Sequence, residues 1–261
     1  MSNSPTEIGI ENLLKEKTRS YKKLSSAARL LESDRYVSGL LNQANKVAIS
    51  RLGYNDHGPV HARITAYNAL KILELLNVEP TVVSEEIGDK EDSMIAVLIG
   101  SFLHDCGISV VREGHELIGA IITKESVNWI LRKIYKDDFK IAKMSSIILE
   151  CILCHMGTYK ATSWEARIVE TADGTDASKG RARVPLHIGK ADIHKFSALA
   201  IDKIDIVRGL RKPVRFEVYM DNPAGVFQTE EIMKKKVLDA EMDKYIEIIA
   251  NIKDKKPLVI L

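Results

Sequence analysis

The chain has 261 residues, of which 45% are apolar and 28% are charged, and this balance places it among globular proteins with one large or two modest domains. Positive and negative side chains nearly cancel, with 38 Lys and Arg against 36 Asp and Glu. The composition therefore excludes a strong overall field that would attract nucleic acid or an anionic membrane.

The N-terminal segment and the cysteines bear on the cellular compartment. The segment MSNSPTEIGIENLLKEK lacks the unbroken apolar run of a signal peptide, and no stretch approaches the ~18 to 20 apolar residues of a membrane span. Cys106, Cys151 and Cys154 cannot all pair with one another, and cytosolic thiols stay reduced. We therefore expect a cytoplasmic protein without membrane contact and without a disulfide framework.

Apolar spacing and breaker residues predict about seven helices in a domain over residues 1–195. In chain order these are ENLLKEKTRSYKKLSSAARLLES (11–33), RYVSGLLNQANKVAISRL (35–52), PVHARITAYNALKILELL (59–76), EDSMIAVLIGSFLHD (91–105), HELIGAIITKESVNWILRKIY (115–135), AKMSSIILECILCHM (142–156) and SWEARIVETADGTD (163–176). Pro59 suits the first position of its helix, because a proline there removes no helical hydrogen bond.

The pattern changes over residues 196–261. The segments ALAIDKIDIV and VRFEVYM alternate with period two and predict strands, and NPAG predicts a turn before the next element. Thr229, followed by two acidic residues, predicts the N-cap of a helix. KYIEIIANI predicts a third strand, and PLVIL adds a terminal edge. We predict a mainly α protein with a small C-terminal ββαβ module, either a separate domain or a flap on the first.

Histidines and aspartates collect at the ends of the predicted helices. They are His61, His104, Asp105, His115, His155 and Asp173. Helix ends that meet at one side of a bundle can direct such side chains into a single cavity. A mixture of imidazole and carboxylate suits Mn, Fe, Co, Ni or Zn. Asp105 also requires a partner, because it follows the apolar run MIAVLIGSFL and an unpaired buried carboxylate costs several kcal/mol.

The order of these residues resembles the signature of the HD-domain superfamily of metal-dependent phosphohydrolases. That signature is a lone histidine, here His61, then an adjacent pair, here His104 and Asp105, and then a distant aspartate, here Asp173. Two further histidines match those of members that bind two metal ions. The resemblance covers roughly residues 50 to 180. It implies an all-helical fold with six metal ligands, His61, His104, Asp105, His115, His155 and Asp173, of which Asp105 bridges the two ions.

The resemblance also implies a cofactor and catalytic residues. One or two divalent ions are expected, with Mn or Fe favoured and Zn, Ni, Co or Mg as alternatives. His57 resembles the leading histidine of the cyclic-nucleotide phosphodiesterases, which protonates the leaving oxygen, so Asp105 and His57 are the catalytic candidates. Arginine binds phosphate in a bidentate manner, and Lys179, Arg181 and Arg183 are therefore candidates for substrate binding. The segments ADGTDASKGRAR and DNPAGVFQTEE resemble archaeal members that have no agreed substrate.

The expected function is that of a metal-dependent phosphohydrolase, a phosphomonoesterase or a phosphodiesterase, in which metal-activated water cleaves a phosphoester. The expected substrate is a nucleotide or a related small phosphate. The chain has no basic tract or aromatic stacking platform, which argues against nucleic acid as a partner, and a homo-oligomer is compatible with the sequence. The alternative is a regulatory protein that binds metal and nucleotide without hydrolysis, which the ββαβ tail motivates.

Several residues have competing interpretations. The segment CILCH fits the C-x-x-C-H pattern of c-type haem attachment, and its two cysteines with two histidines could hold structural zinc. Its apolar surroundings favour buried thiols instead. Asp176 orients a ligand histidine or belongs to a turn, and Glu170 faces the cavity or solvent. His187 and His194 have no place in the pattern.

Overall fold

A computed structural model describes residues 5–179, 197 and 199–261 of the chain. Its helical part contains α1 (Pro5–Thr18), α2 (Lys22–Ser33), α3 (Arg35–Asn45), α4 (Pro59–Leu75), α5 (Thr81–Ser84), α6 (Lys90–Leu103), α7 (His115–Ile134), α8 (Asp138–Cys154) and α9 (Trp164–Asp173). A π-helical segment (Lys46–Arg51) continues α3, and a 3-10 turn (Cys106–Ser109) follows α6. The prediction of a mainly α protein is confirmed. In these ranges, no helix has the length and apolar character that a membrane crossing requires.

The first predicted helix, residues 11–33, is wrong as a single element, because the chain breaks into α1 and α2 at residues 19–21. The first backbone N–H groups of α2, those of Lys23 and Leu24, donate to the carboxylate of Glu91 at 2.6 and 3.0 Å. This cap lies in α6, far along the chain. Spacing within residues 11–33 therefore carries no signal for the break, since helix ends need caps but the caps can come from anywhere.

Helix α6 is the centre of the helical bundle, and its residues from Asp92 to Leu103 are all buried. A Cβ atom at Gly100 would lie 2.4 Å from the Cβ of Cys151, so only glycine lets α6 and α8 approach this closely. The close approach brings the C-terminal ends of the two helices together. As a result, the ring centroids of His104 and His155 are 4.8 Å apart.

The start of α6 is fixed by a buried ionic cluster around Asp92. Asp89 and Asp92 form a capping box, in which each side chain accepts the other's backbone N–H. The Asp92 carboxylate also accepts hydrogen bonds from Lys140 and from the hydroxyl of Tyr135, both at 2.6 Å, and pairs with Lys23. Burial opposes ionisation here, but these partners hold the pKa of Asp92 below its usual value.

The C-terminal residues form a four-stranded mixed sheet with strands β1 (Ile201–Arg208), β2 (Val214–Met220), β3 (Ile246–Ile252) and β4 (Leu258–Val259) in that spatial order. The pairing of β2 with β3 is parallel, and the other two pairings are antiparallel. A parallel pair requires a crossover, which is a helical segment made of α10 (Ala224–Gln228), a π-helical turn (Thr229–Lys234) and α11 (Lys235–Asp239). The predicted ββαβ order is confirmed.

The prediction that Thr229 caps this helix is wrong, because the helix begins five residues earlier. The side chain of Asn222 accepts the backbone N–H of Ala224 at 3.0 Å, and Pro223 occupies the N-cap position. The hydroxyl of Thr229 instead donates to the carbonyl of Gly225 at 2.9 Å inside the helix. The predicted NPAG turn thus continues directly into helical structure.

Glu247 of β3 is a fully buried acid that ties the hairpin loop to the sheet. Its carboxylate accepts backbone N–H groups from Leu210 and Arg211 and side-chain hydrogen bonds from Arg211 and Arg215. Burial raises the pKa of this carboxyl, but the four donors outweigh burial and lower the pKa to about 2.

The sheet module and the helical domain share one contiguous apolar core. The rings of Trp164 in α9 and Tyr245 before β3 meet edge to face at 5.1 Å. On the inner face of β2, Val214, Phe216 and Val218 are fully buried. The crossover helix also lies against the helical domain, where Lys236 contacts Asp173 and the His155 carbonyl. That a domain boundary lies between residues 195 and 196 stays a prediction.

Candidate metal centre

All six side chains predicted as ligands converge on one point. They come from the first turn of α4 (His61), the end of α6 (His104, Asp105), the start of α7 (His115), the end of α8 (His155) and the end of α9 (Asp173). Five of them are at least nine-tenths buried, and the side chain of Asp173 is 12% exposed. The bundle thus gathers remote helix ends as the sequence predicts.

One set of donor atoms comprises two imidazoles and two carboxylates. The Nε2 atoms of His61 and His104 are 3.1 Å apart. Oδ1 of Asp173 lies 3.2 Å from Nε2 of His61 and 3.6 Å from that of His104. Oδ2 of Asp105 lies 3.4 and 3.3 Å from the same two nitrogens. These spacings are those of atoms that share one small cation.

A second set lies on the other side of Asp105. The Nε2 atoms of His115 and His155 are 3.1 Å apart. Oδ1 of Asp105 lies 3.2 Å from Nε2 of His115 and 3.7 Å from Nε2 of His155. The carboxylate of Asp105 therefore presents one oxygen to each pair of imidazoles, which is the arrangement expected of a bridging ligand.

The imidazoles face the centre with their Nε2 atoms because their Nδ1 atoms have partners elsewhere. Nδ1 of His104 contacts the Ser101 carbonyl and Nδ1 of His155 contacts the Ile152 carbonyl, both at 2.7 Å. A carbonyl only accepts, so each of these Nδ1 atoms carries the hydrogen, and Nε2 of the neutral ring offers a lone pair. In metal sites the same tautomer is fixed in the same way.

One buried carboxylate oxygen, Oδ2 of Asp105, tests whether a metal ion would fit this centre. Oδ2 of Asp105 is buried and has no hydrogen-bond partner among the residues that the structure describes. The Nε2 atoms of His61 and His104 lie 3.4 and 3.3 Å from it. A buried carboxylate in such surroundings requires positive charge, and a divalent cation supplies it. Across these sets, two overlapping groups of donor atoms that share His104 are close enough to hold a metal ion, one with His61 and Asp173 and the other with Asp105 and His155.

The pKa shifts of these side chains also indicate that the centre requires positive charge. Burial alone would lower the pKa of His104, but the neighbouring Asp105 and Asp173 carboxylates raise it to about 9. Burial opposes ionisation of both aspartates. His104 nevertheless holds the pKa of Asp105 well below its usual value, and Lys236 with His104 does the same for Asp173. His155 differs, since burial lowers its pKa to about 4 and so favours the neutral, ligating form.

Asp176 acts on the centre through His61. Its Oδ2 lies 2.7 Å from Nδ1 of His61, and its side chain is 5% exposed. A carboxylate on the far nitrogen of a ligating imidazole fixes the ring and raises its basicity. Of the two interpretations of Asp176, the structure therefore supports the orienting role. Glu170, the other open case, is buried and not on a solvated face, and burial raises the pKa of its carboxyl to about 7.

Two cationic side chains beside the proposed ligands were not predicted from the sequence. Lys236, from α11 of the sheet module, pairs with Oδ2 of Asp173 at 3.0 Å. Arg112, in the loop before α7, lies with Nη1 2.9 Å from Nδ1 of His115 and with its carbonyl 2.8 Å from the same atom. Arg112 precedes a ligand by three residues, which is a usable signal, but nothing in the sequence connects Lys236 to the ligands.

The remaining predicted site residues have mixed outcomes. His57 lies beside the centre, with its ring centroid 5.8 Å from that of His61 and its Nδ1 2.6 Å from the Asn55 carbonyl. The ammonium of Lys179 bonds to the carboxylate of Asp202 at the start of β1. The catalytic role of His57 and the substrate contact of Lys179 stay predictions. The other residues named from the sequence, Arg181, Arg183, His187 and His194, lie outside the described residues.

The cysteines take no part in the donor groups found among the described residues. Cys151 and Cys154 are buried in the apolar core, where burial raises the pKa of the Cys154 thiol to about 12. A thiol this weakly acidic is a poor metal ligand, because the thiolate is the ligating form. The geometry therefore favours buried structural thiols over the haem and zinc interpretations.

Comparison with known proteins gives a relative that matches most of the chain. The chain is 38% identical over 231 residues to the uncharacterized protein MJ1020 of Methanocaldococcus jannaschii, and the match covers 87% of this chain and 89% of that protein. No family model matches the chain. No solved structure matches it either. The extent and identity of the match show that this chain belongs to the same family as MJ1020 of Methanocaldococcus jannaschii.

Proposed function

We propose that the protein is a metal-dependent phosphohydrolase of the HD type, which cleaves a phosphoester of a nucleotide or a related small phosphate. The observation that supports this proposal is the division of Asp105 between two pairs of imidazoles, with Oδ2 toward His61 and His104 and Oδ1 toward His115 and His155. A shared carboxylate between two imidazole pairs suits two divalent ions close together, and such pairs serve phosphoester chemistry.

The residue types narrow the chemistry. Imidazole and carboxylate together favour Mn or Fe, with Zn, Ni or Co as alternatives, whereas Mg prefers oxygen ligands alone. When bound, these ions would polarise a phosphoryl oxygen and lower the pKa of a bound water below that of bulk water. The chain's own part is to hold the donor atoms at fixed distances in buried surroundings.

His57 is the residue we propose as the proton donor to the leaving oxygen. Because the Asn55 carbonyl accepts from its Nδ1, proton transfer falls to Nε2. Its backbone N–H donates to the side chain of Asn45 at 3.1 Å, which holds the loop before α4 in place. A proton donor beside the ligands, rather than among them, is the arrangement that general acid catalysis needs.

Elemental analysis of the purified protein, followed by a nucleotide hydrolysis panel with Mn²⁺ and Fe²⁺ added back, tests the proposal. We expect bound metal and product release by the natural protein. Asp105→Ala should lose activity and most of the metal while its far-ultraviolet circular dichroism stays helical. Asp138→Ala removes a carboxylate that is 76% exposed and should change neither activity nor metal content.

Two outcomes would contradict the proposal. Normal turnover by Asp105→Ala would show that the shared carboxylate is not needed for the chemistry. Binding of metal and nucleotide by the natural protein, without any product across the panel, would favour the regulatory alternative.

A further inference from the structure

Lys236 brings the C-terminal module into the candidate metal centre. It lies in α11, directly after the π-helical turn Thr229–Lys234, and π-helical segments often accompany functional sites. Its side chain is 13% exposed and is packed along Gly174, where an added Cβ would come within 3.1 Å of its Cγ. The lysine is therefore held in place and does not reach the centre from solvent.

The ammonium of Lys236 contacts two ligand-bearing helix ends at once. Nζ lies 3.0 Å from Oδ2 of Asp173, at the end of α9, and it also donates to the backbone carbonyl of His155, at the end of α8. A single charged group thus fixes one member of each donor set.

The contact divides the two oxygens of Asp173. Oδ1 lies 3.2 Å from Nε2 of His61, whereas Oδ2 is taken by Lys236. The carboxylate can therefore offer one oxygen to a cation and not two. The positive charge of Lys236 also lies beside the carboxylate that would face a cation, and it would repel that cation.

We propose that Lys236 is a positioning residue of the proposed phosphohydrolase, which limits Asp173 to a single metal-facing oxygen and keeps the centre more positive than the ligands alone would make it. The inference rests on the proposed metal centre. As a consequence, the centre binds a metal ion less tightly than it would without Lys236, and it attracts an anionic phosphate more strongly. Most orienting partners of ligands strengthen metal binding, so the expected sign here is unusual.

Three variants test this role. Lys236→Met removes the charge but keeps the length and apolar stem, and Lys236→Arg keeps the charge. Lys235→Met is the control, because Lys235 is 67% exposed and pairs with Asp239 on the same helix. The Mn²⁺ dissociation constant, from competition with a chelator, is measured together with kcat and KM for nucleotide hydrolysis and with the midpoint of thermal unfolding.

We expect Lys236→Met to bind Mn²⁺ about ten-fold more tightly and to hydrolyse nucleotide at least about ten-fold less efficiently, a range typical of residues that act on ligands. Lys236→Arg should restore both values, and Lys235→Met should leave them unchanged. A merely structural lysine would instead lower the unfolding midpoint and weaken Mn²⁺ binding together.

Unchanged or weaker Mn²⁺ binding by Lys236→Met would overturn the inference, as would a natural protein that binds no Mn²⁺. The Mn²⁺ measurement needs no turnover, so it separates this inference from the proposed function. Tighter Mn²⁺ binding by the methionine variant, with no hydrolysis by the natural protein, would support the role of Lys236 at the centre and contradict the phosphohydrolase assignment.

Discussion

The substitution Gly107→Ala should selectively disturb the half of the centre that contains His115. Gly107 lies in the 3-10 turn after Asp105, where an added Cβ would be 1.9 Å from the carbonyl oxygen of His115 and 2.6 Å from the backbone nitrogen of Gly119. Both obstacles are backbone atoms of α7, so no rotamer change relieves them. The first turn of α7 must move by roughly 1 Å or more to restore ordinary contact distances, and His115 must move with it.

The expected loss of stability in Gly107→Ala follows from the tight packing around this glycine. Overfilling a well-packed interior costs about 1 to 3 kcal/mol in the free energy of unfolding, and this site is at the upper end because backbone is displaced. Displacement of His115 by that amount separates it from Oδ1 of Asp105, now 3.2 Å from its Nε2, while His61 and His104 keep their places. We expect the bound Mn²⁺ to fall from about two ions per chain to about one.

Urea unfolding and equilibrium dialysis against Mn²⁺ measure the two effects. Gly39→Ala is the matched control, since nothing lies within 4 Å of its added Cβ and it sits within α3. That change should stabilise the protein by about 0.5 to 1 kcal/mol through helix propensity. A Gly107→Ala protein with natural stability and an unchanged Mn²⁺ content would refute the reasoning.

Three further predictions concern buried carboxylates. Asp176→Asn removes the anionic acceptor at Nδ1 of His61 and should weaken Mn²⁺ binding about 10- to 100-fold in a chelator competition. Glu247→Gln should cost about 3 kcal/mol of unfolding free energy at neutral pH. Since folding depresses this pKa from 4.5 to about 2, the contribution is complete above pH 4.5 and disappears as the pH falls toward 2, so urea midpoints of the two proteins should converge there. Asp92→Asn removes the carboxylate that Lys23 and Lys140 share, and it should cost about 3 kcal/mol of unfolding free energy. In the control variant Asp205→Asn, the lost carboxylate is 41% exposed, so the urea midpoint should change little.

The parts of this molecule that could be predicted from sequence depend on local pattern or on residue order. Apolar periodicity places most helices because most of them bury one face in a common core, and Pro59 marks the start of α4 as expected. The order of the histidines and aspartates predicts that His61 and Asp173 meet near the His104 and Asp105 pair, and they do. That these residues bind metal is still a prediction.

The parts that could not be predicted depend on contacts between remote segments. The break before α2 is stabilised by a carboxylate of α6, and the charge beside Asp173 comes from a crossover helix in another module. The early start of that helix depends on a hydrogen bond to the side chain of Asn222. In the sequence this asparagine is equally typical of a turn or a loop, so it does not mark a helix start. Tertiary partners of this kind leave no trace in the spacing of either segment.

The position of Lys236 in the chain has a consequence for how the protein matures. Lys236 and the His155 carbonyl that it contacts are 81 residues apart, so a growing polypeptide exposes every proposed ligand well before it exposes this lysine. Under the proposed role of Lys236, a nascent chain would thus present the proposed ligands before the charge that weakens their hold on a cation. The crossover helix would add that charge last, together with its share of the common apolar core.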